Sequence, residues 1–237
     1  FFEDDVEIIG EQVKIRAVLS PHEGDVLEIT GSDISNVENL LIITDFVNID
    51  PEMVHSTLIG KSREEDLTIT ESSFFEGVQE LIDFHSLSEN EKVFVITCFG
   101  NIFDMYDRKG TRRVSTQKLS SGLSFLAAGN KSGKLALAFG LFDRDEREEL
   151  SREQMEHFLS SFLTAIFALV MTATHRHELL VTEKESVWSV IDRSVARVAN
   201  SIWEFAQARA EGNNIATPVL ISFKDFADWY AEGQVIL

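Results

Sequence analysis

Four short, similar phrases mark the places in this chain where side chains could bind an ion. Each phrase has an apolar residue, a Ser or Thr that could cap a helix, and a second apolar residue four positions after the hydroxyl. Because of this capping residue, each phrase would end a loop and begin a helix. The acidic turn before the third phrase, residues 143–149, offers carboxylate oxygens, which are ligands that a hard cation prefers. The phrases are Ile69-Thr70-x-x-Ser73-Phe74, Val114-Ser115-x-x-Lys118-Leu119, Leu150-Ser151-x-x-Gln154-Met155 and Ile221-Ser222-x-x-Asp225-Phe226.

The rest of the sequence shows no arrangement typical of catalysis. Neither a Ser-His-Asp set nor a Cys-His set is recognisable, so we predict that the chain is not an enzyme. The glycine-rich segment 129–134 is one residue too short between its glycines to be a phosphate-binding loop. Leu135 also stands where Ser or Thr would bind Mg²⁺, so we interpret this segment as a turn between helices.

Helices must position the four phrases, and the sequence predicts a mainly α fold from residue 32 onward. Apolar residues recur at helical spacing on both sides of each phrase. Ser35-x-x-Glu38 has the form of a capping box and predicts a helix from Ser35 to about Asn48, which Pro51 would close. Ser88-x-x-Glu91 predicts a second such helix start.

The phrases and the first thirty-one residues divide the chain into three parts. In segments 13–17 and 26–29 apolar and charged residues alternate around a turn signal, which predicts a small hairpin or extended N-terminal arm over residues 1–31. The intervals between phrases are unequal, which argues against a repeat array. We expect the first phrase to pair with the second within 32–129, and the third with the fourth within 130–237.

Residues 103–125 and 135–158 resemble EF-hands, and residues 35–231 as a whole resemble a four-hand protein of the calmodulin, recoverin and calcineurin-B kind. The resemblance rests on the four phrases, each of which joins a loop to a helix, and on the Phe-rich helices around them. It implies two paired helix–loop–helix lobes with short loop strands. A calcium loop normally ends on a bidentate Glu, so the resemblance also implies four degenerate hands. Their last positions are Ser73, Lys118, Gln154 and Asp225.

In the second loop, the register implied by the resemblance puts cations at ligand positions. Asp107 stands at position 1, but Lys109 stands at position 3 and Lys118 at position 12. Two ammonium groups would repel Ca²⁺, so we predict that this loop does not bind it. The first and fourth loops lack an Asp-x-Asp start, although Asp225 keeps a carboxylate at the last position of the fourth.

The third loop is the nearest to a complete ligand set. Asp143 and Asp145 stand at positions 1 and 3 and Ser151 at position 9, and these are our weak metal candidates. Arg147 and Gln154 replace the ligands at positions 5 and 12. We therefore expect weak Ca²⁺ binding or none, and no other cofactor. On ligand count we favour the interpretation of this loop as an acidic turn whose charges are satisfied by its own arginines.

The amino-acid composition limits the classes of binding partner and the cellular compartment that we expect. The net charge of −19 argues against nucleic acid and against an anionic membrane surface, and it suits a cation or a basic partner helix. A single cysteine, Cys98, excludes an internal disulfide and favours a reducing, cytoplasmic location. Residues 157–174 lack Asp, Glu, Lys and Arg, and approach the length of a membrane span. We interpret them as a buried core helix, or as one whose uncovered stripe binds a partner.

The leading hypothesis is a non-catalytic adaptor or regulatory subunit of a larger complex, which binds an amphipathic partner helix in an apolar groove. One alternative is a genuine calcium sensor that acts through the third loop. Another is the regulatory EF-hand segment of a larger enzyme or channel. The residues that we assign to the core or to the partner groove are Phe139, Phe142, Met155, Phe158, Phe162 and Phe226.

Overall fold

A computed structural model of the chain describes the backbone at residues 7–9, 12–18, 26–143, 145–173, 184–212 and 220–232. Within these ranges, side chains are described at 37–143, 145–172, 187–210 and 220–232. The described part is mainly helical, as the sequence predicted. Its α-helices are α1 (Gly31–Ile43), α2 (Pro51–Gly60), α3 (Glu71–Leu81), α4 (Glu89–Tyr106), α5 (Thr116–Ser124), α6 (Lys131–Phe142), α7 (Arg152–Ala173), α8 (Lys184–Gly212) and α9 (Phe223–Ala231).

Short antiparallel strands complete the described part. Three of them, β1 (Glu7–Ile9), β2 (Gln12–Val18) and β3 (Val26–Thr30), form one sheet ahead of α1. The other four are β4 (Thr68–Thr70), β5 (Arg113–Ser115), β6 (Glu149–Leu150) and β7 (Ile221–Ser222). These four strands carry the apolar residues of the four phrases. Strand β4 pairs with β5, with Ile69 opposite Val114, and β6 pairs with β7, with Leu150 opposite Ile221.

The hydroxyl of every phrase caps the helix that follows it, as predicted. In each case the side-chain oxygen accepts a hydrogen bond from the backbone N–H three residues later, which satisfies one of the free donors at a helix start. The N···O distances are 3.2 Å for Thr70 and Ser73, 3.3 Å for Ser115 and Lys118, 3.2 Å for Ser151 and Gln154, and 3.0 Å for Ser222 and Asp225.

The helix predicted from Ser35 to about Asn48 was wrong at both ends, and so was the role given to Pro51. Helix α1 ends at Ile43, and residues 46–48 form a separate 3₁₀ turn. Helix α1 begins at Gly31, so Ser35 lies one turn inside it and does not cap it. The neighbouring polar residues of this segment are also of capping type, so the Ser35 pattern did not identify the true start. Pro51 begins α2 instead of only closing the previous helix, because Asp50 caps it by accepting the N–H of Glu52 at 2.8 Å. Proline is favourable at the first helical position, where its missing N–H has no helical partner.

The core is made of two clusters of buried residues. The first cluster combines residues of α1 to α5 with the second half of α7 and the first half of α8. The second cluster combines α6, the first half of α7, the second half of α8, and α9. Helix α7 thus contributes Phe158 to the second cluster and Leu169 to the first.

Helix α7 contains the apolar run of residues 157–174 as far as the structure describes it. Among the described helices it is the one long and apolar enough to cross a membrane, and 61% of its apolar window is buried inside the protein. It packs against α4, α5 and α8, and more sparsely against α1 and α6. These contacts agree with the interpretation of this segment as a core helix.

Candidate functional site

The candidate sites are the loops that end in the four phrases. We number each loop from 1 to 12, ending three residues after the phrase hydroxyl, and call them loop 1 (62–73), loop 2 (107–118), loop 3 (143–154) and loop 4 (214–225). The structure describes all of loops 1 and 2, loop 3 apart from residue 144, and residues 220–225 of loop 4. Each loop carries a short strand within positions 7–9, and its positions 10–12 are the first residues of the helix that follows.

Loops 1, 2 and 3 share an unusual backbone conformation at position 6. Leu67, Arg112 and Glu148 all have positive φ, at 49°, 53° and 60°. Position 4 is also left-handed in loops 2 and 3, at Gly110 (φ 63°) and Glu146 (φ 53°). Position 6 of a calcium loop is normally Gly because the turn is sharp. The residues found here gave no sequence signal for this conformation, since side chains other than Gly and Asn disfavour it.

The aspartate at position 1 has the same role in loops 2 and 3. The carboxylate of Asp107 accepts the backbone N–H groups of Thr111 at 2.9 Å and Arg112 at 2.7 Å. Asp143 likewise accepts the N–H groups at positions 5 and 6 of loop 3, at 3.1 Å and 2.6 Å. In both loops the aspartate thereby holds the left-handed turn in place through its two oxygens.

The basic side chains of loop 2 reach outward to three helices. Arg112 forms ion pairs with Asp104 on α4, at 2.8 Å, and with Glu71 on α3. Arg108 donates to both carboxylate oxygens of Asp192 on α8, at 2.7 and 2.8 Å. Each of these pairs is partly exposed, so each contributes little to stability by itself. Together they tie loop 2 to its surroundings by contacts that need no metal ion.

The ligand positions of loop 3 are engaged with protein groups. Gln154, at position 12, donates from Nε2 to the carbonyl of Phe142 at 3.0 Å and accepts the N–H of Ser151 at 2.7 Å. Its amide therefore joins the start and the end of the loop. Asp145 pairs with Arg147 at 3.5 Å, and both of these side chains are exposed. The three metal candidates of the sequence, Asp143, Asp145 and Ser151, thus all have partners within the loop.

Carboxylates in loops 1 and 4 are also bound to nearby donors. Asp66 accepts from the Thr68 hydroxyl at 2.8 Å, and this hydrogen bond lowers the pKa of Asp66. Asp225 accepts from the Ser222 hydroxyl at 2.6 Å and lies 3.4 Å from Arg209 on α8. Within the described residues, no group of three or more His, Cys, Asp or Glu side chains is arranged to hold a metal ion.

The six residues proposed for core or groove come together in the second cluster. Their exposed fractions run from 0% to 8%, so they form an interior and not an exposed groove in this conformation. Phe158 lies at the centre, with edge-to-face ring contacts to Phe139 at 5.8 Å, Phe162 at 4.8 Å and Phe226 at 5.5 Å. Phe142 and Met155 are buried in the same cluster, at 4% and 0% exposure.

A layer of buried small polar residues was not singled out from the sequence. Ser120, Ser121 and Ser124 on α5 are fully buried, and Ser121 lies 3.0 Å from the Ser161 hydroxyl of α7. The Tyr106 hydroxyl donates to the backbone carbonyl of Ser161. The only sequence signal is the run of small residues in α5, which allows helices to approach closely.

In the described parts of the loops, the carboxylates of Asp66, Asp107, Asp143 and Asp225 accept hydrogen bonds from protein groups. The amide of Gln154 joins the two ends of loop 3. Comparison with protein-family models and with curated proteins finds no match for this chain. Its function is therefore inferred from the loops and from the packing around them.

Proposed function

We propose that the chain is a non-catalytic adaptor or regulatory protein built from four EF-hand-like units whose loops are closed by protein groups instead of by Ca²⁺. The observation that carries the proposal is the shared left-handed conformation at Leu67, Arg112 and Glu148. Three unrelated side chains adopt a turn that suits glycine, at the same place before a short strand and a capped helix. A common ancestral loop accounts for this coincidence better than three separate origins.

The pairing of the loop strands supports the same proposal. One short strand leaves its backbone groups unpaired, so hand-like units are stable as pairs. Ile69 lies opposite Val114 and Leu150 lies opposite Ile221, which joins loop 1 to loop 2 and loop 3 to loop 4. Each pair is thus expected to lie at one of two lobes, and α7 and α8 contribute to both.

The groups that close the loops support loss of the ion. A bound Ca²⁺ draws together oxygens from the start and the end of its loop, including the bidentate Glu at position 12. In loop 3 the amide of Gln154 makes this connection, and in loop 2 position 12 is the cation Lys118. We therefore expect the folded shape, and any partner binding, to be independent of Ca²⁺.

The proposed partner is a basic amphipathic helix. The net charge of −19 favours a positively charged partner, and apolar helix faces bind to grooves between helices. The Phe-rich second cluster, which also contains Met155, would supply the apolar groups that such a helix contacts. Because its six candidate residues are at most 8% exposed, a partner would reach them only after the helices of this cluster separate.

Restoring the ligands of loop 3 tests the loop assignment. The triple variant Arg147→Asp/Glu148→Gly/Gln154→Glu completes the ligand positions on a backbone that already has the required turn. Calorimetric titration should show no micromolar Ca²⁺ binding to the natural chain, and binding to the variant with Kd between about 10⁻⁷ and 10⁻⁵ M, as in sensor loops. Adding Asp143→Ala to the triple variant is the matched control and should abolish the binding.

Two results of this titration would contradict the proposal. Micromolar Ca²⁺ binding by the natural chain, lost in Asp143→Ala, would identify loop 3 as a working sensor. A restored loop that folds but does not bind Ca²⁺ would show that loop 3 is not an EF-hand-like loop at all.

Partner binding needs its own measurement. A synthetic amphipathic peptide with lysines on its polar face should bind the chain equally in chelator and in Ca²⁺, as measured by calorimetry. A matched peptide of the same composition with its apolar face scrambled is the control and should bind far more weakly. Binding that requires Ca²⁺, or equal binding of both peptides, would reject a constitutive helix-binding adaptor.

A further inference from the structure

A pocket with a cationic wall opens beside loop 2. Its volume is about 320 Å³, and Arg108, Lys109, Arg113 and Lys118 all line it. The wall is completed on one side by α7, which contributes Ser160 and Thr164. The whole chain has only 21 basic residues against 40 acidic ones, so four basic residues around one pocket are a local reversal of its charge.

Three of the four cations have no ion-pair partner among the described residues. Arg108 is paired with Asp192, but Lys109, Arg113 and Lys118 form no ion pair or side-chain hydrogen bond with any residue in the described ranges. Asp66 and Asp192 act on Arg113 and Lys118 only through the longer-range attraction of their charges. The carboxylate that lines the pocket, Asp107, directs its two oxygens to backbone N–H groups of the loop.

An anion in the pocket would stabilise the charged form of Lys118 in particular, because this side chain is partly buried. Its side chain is half-buried at the end of loop 2, at the start of α5. Burial lowers the pKa of Lys118, and the nearby charge of Arg108 lowers it further, while Asp192 opposes this effect. A bound anion would stabilise the charged ammonium and offset its partial loss of water.

We propose that this pocket binds the dianion of a phosphate monoester. The ammonium of Lys118 and the guanidinium of Arg113 would bind the phosphate oxygens, because guanidinium groups match the geometry of phosphate and ammonium groups act as point charges. Ser115, Ser160 and Thr164, which carry hydroxyl groups, also line the pocket. The pocket lies at the lower end of the range of small-molecule sites, about 300 to 1,000 Å³, so it has room for a small organic group on the phosphate.

This inference goes beyond the proposed function, since it concerns an anion at a loop that would hold a cation in a working EF-hand. It is also tested by different measurements. Failure of the loop 3 restoration would leave the cationic pocket unchanged, and failure of phosphate binding would leave the conformation of the loops unchanged.

Calorimetric titration of the whole chain with glycerol 3-phosphate and with inorganic phosphate tests the proposal. We expect saturable binding at one site, weakened at least about tenfold by Lys118→Gln or Arg113→Gln, because each removes a charge-assisted hydrogen bond. The matched control is Arg63→Gln, which removes the same charge from loop 1, where Arg63 pairs with Glu65 at 3.0 Å. This control should bind as the natural chain does.

Two additional readouts locate the ligand and identify its source. Arg108 lies over the ring of Trp188, 5.9 Å from its centroid, so phosphate binding should change the emission of Trp188, and Trp188→Phe should remove that change. Vesicles of phosphatidylcholine with and without phosphatidic acid distinguish a lipid headgroup from a free monoester. Binding only to the phosphatidic acid vesicles, lost in Lys118→Gln, would support the same chemistry with a lipid source.

Three outcomes would overturn the proposal. The first is no saturable binding of either soluble probe or of the vesicles. The second is binding that Lys118→Gln and Arg113→Gln both leave unchanged while circular dichroism shows them folded. The third is an equal loss of binding in Arg63→Gln, which would indicate a general effect of net charge.

Discussion

The Nδ1 atom of His55 on α2 lies 2.9 Å from the hydroxyl oxygen of Ser120 on α5. Ser120 is fully buried and donates its own hydrogen to the carbonyl of Gln117 at 3.3 Å, so its oxygen is free to accept from the imidazole. The contact joins two helices of the first cluster through a titratable group. The imidazole is half-buried, and burial lowers the pKa of His55.

Stability should depend on the protonation of His55. Because its pKa is lower in the folded chain than in the unfolded one, the unfolded state binds the proton more readily at mildly acidic pH. The stabilisation is present above the unfolded value, about 6.5, and is lost as the pH falls through the folded pKa. Thermal unfolding between about pH 7.5 and 5 should therefore show a steeper loss for the natural chain than for His55→Asn. His85→Asn, at an exposed position, should keep the steep loss; equal slopes for all three chains would contradict this role.

Gly122 allows α5 to approach α4 and α7 closely. A Cβ atom at this position would collide with the Tyr106 hydroxyl and lie 2.7 Å from the carbonyl oxygen of Ser161. We expect Gly122→Ala to lower the free energy of unfolding by about 1–3 kcal/mol, as overpacking does. Urea denaturation measures it. The control is Gly140→Ala on α6, where a Cβ meets nothing within 4 Å and helix propensity predicts a gain of about 0.5–1 kcal/mol.

A double-mutant cycle separates the hydroxyl contact from other effects of Gly122→Ala. Tyr106→Phe removes the atom that the new methyl group would strike first. The penalty of Gly122→Ala should therefore be smaller in the Tyr106→Phe chain, with a coupling energy of about 0.5–3 kcal/mol. Simple additivity of the two changes would show that the Tyr106 hydroxyl is not the obstacle.

At position 148 a glycine should give a more stable chain than an alanine, because the backbone of Glu148 is left-handed. Its φ of 60° lies in the left-handed region, which costs a side chain about 1–2 kcal/mol relative to glycine. We expect Glu148→Gly to be more stable than Glu148→Ala by about 1 kcal/mol, measured by urea denaturation. The order should reverse at Glu156 in α7, where glycine is disfavoured by about 1 kcal/mol. The same order at both positions would contradict the left-handed turn in loop 3.

The thiol of Cys98 should react only when the chain unfolds. It is 2% exposed, and burial raises the pKa of Cys98 to about 12. Since the thiolate is the reactive form, iodoacetamide at about pH 8 should modify the folded chain more than about a hundredfold more slowly than the same chain in concentrated urea. Mass spectrometry gives both rates. Similar rates would place Cys98 at the surface.

The features that local residues determine could be predicted from the sequence. Each phrase hydroxyl caps its helix because capping needs only one side chain and the three residues after it. Helix α2 was not predicted because proline is common in two places, just after the end of one helix and at the first position of another. Position within the sequence alone cannot separate these two roles.

The interior of the loops could be predicted less well. The left-handed turn at Leu67 and Arg112 has no signal in the sequence, because both residue types disfavour it. Gln154 was interpreted as a lost ligand, and its bond to the Phe142 carbonyl depends on how the two helices meet. Residues 139 and 158 were assigned to core or groove together, since apolar periodicity does not tell a covered helix face from an open one.

Helix α7 passes through both interiors. Phe158 and Leu169 belong to different clusters and are separated along the helix axis by about 16 Å, at the usual rise per residue. Because α7 packs in both clusters, a change that loosens the packing of one cluster should also destabilise the other. We therefore expect the two clusters to unfold in a single cooperative transition.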